Sequence, residues 1–306
     1  MSQTIEIRMA GYGPATTGFS RSLKFIGDRL QTRFGDRVAV DYVWNIMDHG
    51  YKAEDIVALV ESGEMTLGYQ SSSYLTDRVP ELGFVDLPFL FANNAQARGA
   101  MDNELGSFLA AKIEERAGFR ILGWFENGFR HISNRLRPVH VPADLNGMRI
   151  RVLPSEVHRR TFELLGAMPM RMDLTEAIAM IKAGTLDAQE NPLANTVTYG
   201  VHQFHKFHTL TSHFYVSRPI FVHRATLESW PAEVREAMHD AVHEAVRHQR
   251  GLAEEEQVAA RRAIEAAGCE IVTTGEREHE AFVRSVRPLL DDARSLYGDA
   301  MFRMLR

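Results

Sequence analysis

The run Gly147-Met148-Arg149-Ile150-Arg151-Val152 alternates with the period of a β-strand, placing Met148, Ile150 and Val152 on one face and both arginines on the other. Arg151 falls near the strand's end, where a guanidinium can present two parallel N–H donors to a carboxylate. That position also suits an arginine at a solvated strand edge. Two other stretches favour an anion site. Gly128-Phe129-Arg130-His131-Ile132-Ser133-Asn134 sets a second arginine after a strand, and Asp187-Ala188-Gln189-Glu190-Asn191-Pro192 ends a helix-to-strand segment in consecutive polar side chains. Asn191 precedes a proline and is biased toward extended geometry, which turns its amide away from the local backbone. Arg130, Arg151 and Asn191 together would make a fixed, donor-rich site for one carboxylate.

Other chemistries lack their parts. Gly11-x-Gly13-x-x-x-x-Gly18 resembles a dinucleotide fingerprint, but the third glycine comes two positions late and Pro14 sits inside the turn. There is no phosphate-binding Gly-x-x-x-x-Gly-Lys-Ser/Thr loop and no Gly-x-Ser-x-Gly nucleophile elbow. His243 and His248 are five apart on a helical segment, about 140° around its axis, too far to share a metal. His202, His205 and His208 could share a broad helical face, yet Lys206 lies among them with no acidic residue nearby, so solvated surface histidines are expected and no metal or cofactor is assigned. Ser71-Ser72-Ser73 follows a strand at the carboxyl end, where open α/β sheets bind ligands; hydroxyl contacts to a ligand and helix capping both suit it.

The elements that must position these residues alternate. Thr4 to Met9 reads as a strand, Thr17 to Leu30 as a helix, Val38 to Trp44 as a strand, Glu54 to Ser62 as a helix and Met65 to Tyr69 as a third strand. This β-α-β-α-β order implies parallel pairing in an α/β sheet. The pattern restarts with strands at Phe119 to Phe125 and 147–152 and helices at Glu156 to Leu165 and Thr175 to Ala183. After Pro231, the spacing of Val234, Met238, Ala241, Val242 and Ala245 predicts one helix of about 30 residues or more, able to reach across two domains. A strand at Glu270 to Thr273 and a helix from Arg277 to Tyr297 close the chain.

At 306 residues the chain is long enough for two domains, with 45% hydrophobic and 25% charged residues, an ordinary globular balance. The 35 lysines and arginines against 40 acids leave a net charge of −5, so no global positive field exists to hold nucleic acid. A single cysteine, Cys269, excludes an internal disulfide and reads as the buried start of a strand. No apolar run of membrane-spanning length occurs. The opening Met1-Ser2-Gln3-Thr4 has neither the basic nor the apolar region of a signal peptide, so the chain as given is expected in the cytoplasm.

Beyond these separate features, the order of several segments resembles the solute-binding proteins of TRAP (tripartite ATP-independent periplasmic) transporters, of the C4-dicarboxylate-binding type. The segments are Asp86-Leu87-Pro88-Phe89-Leu90-Phe91, Gly128 through Asn134, Ala143 through Val152, Leu165-Gly166-Ala167-Met168-Pro169, Thr175-Glu176-Ala177, and Gly184 through Leu193. The resemblance implies an α/β, two-domain clamshell of the periplasmic-binding-protein kind with a long interdomain helix, its lobes formed by 1–127 plus about 215–255 and by 128–214 plus about 256–306. It implies no catalysis, a small organic acid as ligand, TRAP membrane permease subunits as partners and a periplasmic location. It also implies roles: Arg151 forms the bidentate salt bridge to the ligand carboxylate, Arg130 and Asn191 assist, Leu174 packs over the ligand, Ser71 and Tyr74 line the opposite domain, and His213 and Phe214 lie near the crossover. Ser71 and Leu174 are neither charged nor aromatic, unlike several family members, and Ser71, Tyr74, Leu174 and Phe214 together suggest a pocket less charged than one built for a second carboxylate, which favours a monocarboxylate.

A rival reading is a nicotinamide-dependent oxidoreductase acting on a 2-hydroxy or 2-keto acid, with the Gly11/Gly13 turn holding the cofactor. It accounts for the α/β alternation but leaves the glycine spacing unexplained and has no obvious catalytic acid. A ligand-sensing regulatory module would need a basic DNA-binding segment, and none stands out.

Overall fold

The computed structural model describes residues 4–305; Met1-Ser2-Gln3 and Arg306 lie outside them. Nine strands and eleven α-helices follow in the order β1 (Ile5–Ala10), α1 (Gly18–Phe34), β2 (Val38–Val43), α2 (Ile56–Glu61), β3 (Leu67–Tyr69), α3 (Asn94–Asp102), α4 (Glu104–Arg116), β4 (Phe119–Asn134), β5 (Arg149–Val152), α5 (Glu156–Leu164), β6 (Met168–Arg171), α6 (Leu174–Lys182), β7 (Ala188–Asn191), α7 (Leu193–Thr198), β8 (Phe207–His223), α8 (Arg224–Ser229), α9 (Ala232–Ala266), β9 (Glu270–Thr273), α10 (Glu276–Ser285) and α11 (Arg287–Arg303) among the described residues. They form two compact units: residues up to 71, 106–126 and 217–254, and residues 72–105, 127–216 and 255 onward. The segment 72–105, expected in the first lobe, groups with the second unit. Its short helical turns are tied there by Thr76 Oγ1, which donates to the carbonyl of Pro154.

In the first unit β1 pairs in parallel with β2 and β3, and β3 pairs antiparallel with the last residues of β8. The all-parallel expectation fails at that edge because β8 returns from the other direction. Gly68 lets α2 lie close on β3: a Cβ there would meet Ile56 and Val60 at 3.2 Å. The apolar stripe Phe19, Leu23, Ile26 and Leu30 of α1 is buried as its helical spacing requires.

In the second unit β5 pairs in parallel with β6 and β7, and β7 pairs antiparallel with the end of β4. One apolar cluster joins Ile132, Ile150, Val152 and Ala188 of these strands to Phe162 of α5 and Phe282 of α10. A second cluster places Ala177 and Ile181 of α6 with Met170, Met172 and Leu186. Helix α9 spans 35 residues, about 52 Å at 1.5 Å per residue, passing from the first unit into the second between residues 254 and 255. The single C-terminal helix expected from Arg277 to Tyr297 is two, because the chain breaks at Val286 ahead of Pro288.

Candidate functional site

The registers in the second unit decide which side chains share a face. Arg151 is opposite Gln189, Gln189 opposite Ser133, and Asn191 opposite His131, so these five lie on one face. Arg130 alternates with His131 and shares the other face with Ile132 and Glu190. The sheet therefore brings Arg151 and Asn191 together but places Arg130 behind them.

Arg151 is 1% exposed. Its Nε donates to the carbonyl of Met172 at 3.2 Å and its Nη2 to the Tyr74 hydroxyl at 3.0 Å. Among the described residues it has no acidic partner. Both of its acceptors are neutral, which leaves a buried cation with N–H groups to spare, an arrangement that costs several kcal/mol unless an anion joins it.

Tyr74 was expected to line the opposite domain; it groups instead with the second unit and fixes Arg151 directly. Its oxygen also accepts the backbone N–H of Leu174 at 3.1 Å, tying the start of α6 to the arginine. Burial raises the pKa of this phenol despite the opposing pull of Arg151, so it keeps its proton, and that O–H has no acceptor among the described residues. Leu174 itself is buried at the first turn of α6, behind the Asp173 cap.

Asn191 is buried, with its Nδ2 3.5 Å from Gln189 Oε1, and Gln189 Nε2 lies 3.4 Å from Thr196 Oγ1. Gln189 was not singled out from the sequence as a site residue. Its signal was there in the two-residue step from Asn191, once a strand is assigned to 188–191.

Arg130 is likewise 1% exposed, but its charge is paired: Nε and Nη2 grip both carboxylate oxygens of Glu190, the Nη2–Oε1 distance being 2.9 Å, and Nη2 also donates to the Glu190 carbonyl. Burial alone would raise the Glu190 carboxyl, yet the Arg130 charge, the bonds from Arg130 and the neighbouring His213 hold it well below the usual range. His213 sits on this same polar cluster, its Nε2 3.6 Å from Glu190 and its Nδ1 2.6 Å from Thr211 Oγ1. Phe214 is a core residue, stacked on His158 with ring centroids 3.9 Å apart.

Ser71 belongs to the first unit, where it is buried at the end of β3; its N–H donates to Gln70 Oε1 at 2.8 Å and its hydroxyl has no hydrogen-bond partner among the described residues. In the same unit the Arg218 guanidinium lies 4.0 Å from the Phe19 ring centroid and 4.9 Å from that of Tyr12. Neither aromatic contact was legible from spacing.

His205 and His208, read as solvated, are buried. His205 Nδ1 meets Ser133 Oγ at 3.0 Å and His208 Nε2 meets the His205 carbonyl at 3.0 Å. No group of three or more histidine, cysteine or acidic side chains able to hold a metal occurs among the described residues. Cys269 precedes β9, half-buried, its thiol directed at the carbonyls of His202 and His205.

The sequence profile of DctP, described as bacterial extracellular solute-binding protein family 7, matches residues 44–295. The chain belongs to that family. It is a TRAP solute-binding protein, and the family is one of transport proteins, not enzymes. A solute-binding protein of Verminephrobacter eiseniae is 30% identical over 277 residues, covering 90% of this chain and 81% of its own. The 2,3-diketo-L-gulonate-binding periplasmic protein YiaO of Escherichia coli is 30% identical over 226 residues, 74% of this chain and 69% of its own. In fold, the chain matches the sugar acid binding protein DctPAm of Advenella mimigardefordensis, solved with galactonate, at a TM-score of 0.93 and 21% identity over 100% of this chain and 97% of that one. The expected two-domain α/β fold of periplasmic TRAP binding proteins is thus the one found.

Proposed function

We propose that this TRAP solute-binding protein captures a hydroxylated monocarboxylate through an arginine clamp at Arg151 and delivers it to membrane permease subunits from the periplasm. The observation that carries the clamp is the buried Arg151 guanidinium without an acidic partner. A bound carboxylate neutralises it and takes its remaining donors in a bidentate pair. The Tyr74 O–H, whose oxygen is already used twice as acceptor, adds a donor, and the Asn191 and Gln189 amides add others from the same face. Charged hydrogen bonds contribute about 1.5–3 kcal/mol each, and a micromolar ligand needs about 8 kcal/mol. Three or four such contacts are of the right size.

Arg130 serves this site indirectly. Its pairing with Glu190 pins β7 between Gln189 and Asn191, so both amides project from a fixed strand. A ligand with one carboxylate matches the one Arg151 guanidinium at this site, and the diketogulonate-binding relative supports a sugar acid. Native mass spectrometry of the purified protein tests the class: a co-purifying acid with one carboxylate and several oxygens is expected, and a neutral or cationic passenger contradicts it.

A further inference from the structure

His131 faces Asn191 across the β4–β7 ladder, so its imidazole rises from the face that carries Arg151 and Gln189. It is half-buried, whereas those three are buried. Its Nδ1 accepts the backbone N–H of Ser212 at 3.2 Å. An accepting nitrogen carries no proton, so the neutral ring is the Nε2–H tautomer. Burial, reinforced by His213, Arg130 and His208, pushes its pKa down to about 3, and the ring therefore stays neutral at pH 7. Its Nε2–H has no acceptor among the described residues.

The backbone around that contact is strained. Ser212 has φ 47° and Phe89 φ 55°, and they are the non-glycine residues with positive φ among those described. Both meet at one dipeptide: Ser212 N–H holds His131, and Phe89 N–H donates to the carbonyl of His213 at 2.9 Å. Such conformations cost about 1–3 kcal/mol each and persist where the surroundings over-determine them, often at ligand clamps. Here the turned Ser212 peptide aims its N–H at Nδ1 and so sets which ring nitrogen is the donor.

We propose that His131 determines ligand specificity by donating its Nε2–H to a hydroxyl or carbonyl oxygen remote from the carboxylate held by Arg151. This rests on the carboxylate reading above and deepens it. Arg151 and His131 stand two strand spacings and two residues apart, about 12 Å between Cα atoms. A carboxylate and an oxygen near the far end of a six-carbon acid, with hydrogen bonds of about 2.9 Å at both ends, cover a similar span. A neutral donor satisfies a hydroxyl but cannot neutralise a second carboxylate, so hydroxylated monoacids are preferred to dicarboxylates.

Calorimetric titration with D-galactonate, D-glucuronate and D-erythronate, and with hexanoate and adipate as controls, tests this. Wild-type protein is expected to bind the best hydroxylated acid at least about tenfold tighter than either control. His131→Phe is expected to weaken that acid by about tenfold or more while leaving hexanoate within about twofold, and His131→Gln, which keeps a neutral donor, to recover most of the loss. An unchanged selectivity ratio in His131→Phe overturns the role of His131 and leaves the clamp standing. If wild-type binds none of the acids, the carboxylate reading falls and His131's role falls with it. Long-range ¹H–¹⁵N spectra of the unsubstituted protein give an arm free of folding defects. The His131 ring is expected as the Nε2–H tautomer, with a resonance that moves when the best-binding acid is added; an Nδ1–H tautomer or an unmoved resonance overturns the proposal.

Discussion

Arg130 and Arg151 stand on strands separated by β7 and are equally buried, but only one has its counter-ion built into the fold. Glu190 neutralises Arg130 from the next strand, whereas Arg151 leans on a phenol and a carbonyl. Their substitutions should therefore diverge. Arg130→Ala strands the Glu190 carboxylate in the core and is expected to lower unfolding free energy by about 3–5 kcal/mol in denaturant titrations. Arg151→Ala removes an uncompensated cation, so the ligand-free protein should lose far less, under about 1 kcal/mol, while binding collapses. Equal losses of stability would contradict the assignment of roles. Tyr74→Phe deletes the acceptor shared by Arg151 and Leu174 together with the phenol's own donor; affinity is expected to fall about tenfold, measured by calorimetry, and the empty protein to lose about 1–3 kcal/mol of unfolding free energy because buried donors lose their acceptor. Local alternation was enough to put Arg149 and Arg151 on one face. Which face Arg130 takes depends on the β4–β7 register, a long-range pairing between residues about sixty apart that no local pattern encodes.

Element by element, the sequence was most informative where one face repeats over several turns. The apolar stripes of α1 and α9 and the alternation of β1, β2 and β5 all lie where periodicity puts them. Strand β8 was missed, and β7 was legible only as the extended end of a helix-to-strand segment, because burial on both sides lets polar residues such as Gln189, Glu190, His208 and His213 occupy them. The three-residue spacing of His202, His205 and His208 imitates a helix but spans a turn and the start of β8. This burial has a consequence for acid stability. Desolvation first, then neighbouring groups, pushes His131 and His205 down to about 3 and His208 to about 4. Each folded pKa lies below the unfolded value of about 6.5, so the stability these rings allow is complete above that pH and lost as pH falls toward 4. Asp187, held down to about 2 by Arg149, and Glu190, held low by Arg130, act in the same direction only below about pH 4.5. Urea unfolding at pH 7, 6 and 5 is expected to show stability falling before the carboxylates titrate. A flat profile from pH 7 to 5 would contradict the buried, neutral histidines, and His208→Gln should make the slope shallower.

For the whole molecule, the order of short motifs from Asp86 to Leu193 was enough to place the chain in its family, and the fold agrees at a TM-score of 0.93. The ligand's identity was not legible in the same way. On the proposed reading it is set by a few side chains, among them Tyr74, Gln189 and His131, whose meeting depends on strand register and on a segment, 72–105, that groups with the second unit rather than the first. The central claim, that the buried Arg151 guanidinium selects a carboxylate, is tested most directly by titrating wild-type protein and Arg151→Lys with the best-binding sugar acid and with its amide. The expected result is micromolar or tighter binding of the acid, little binding of the amide, and a loss of about two orders of magnitude or more for the acid in Arg151→Lys, where the planar fork is gone. Near-native affinity in that variant, or equal affinity for acid and amide in the wild type, would contradict the account.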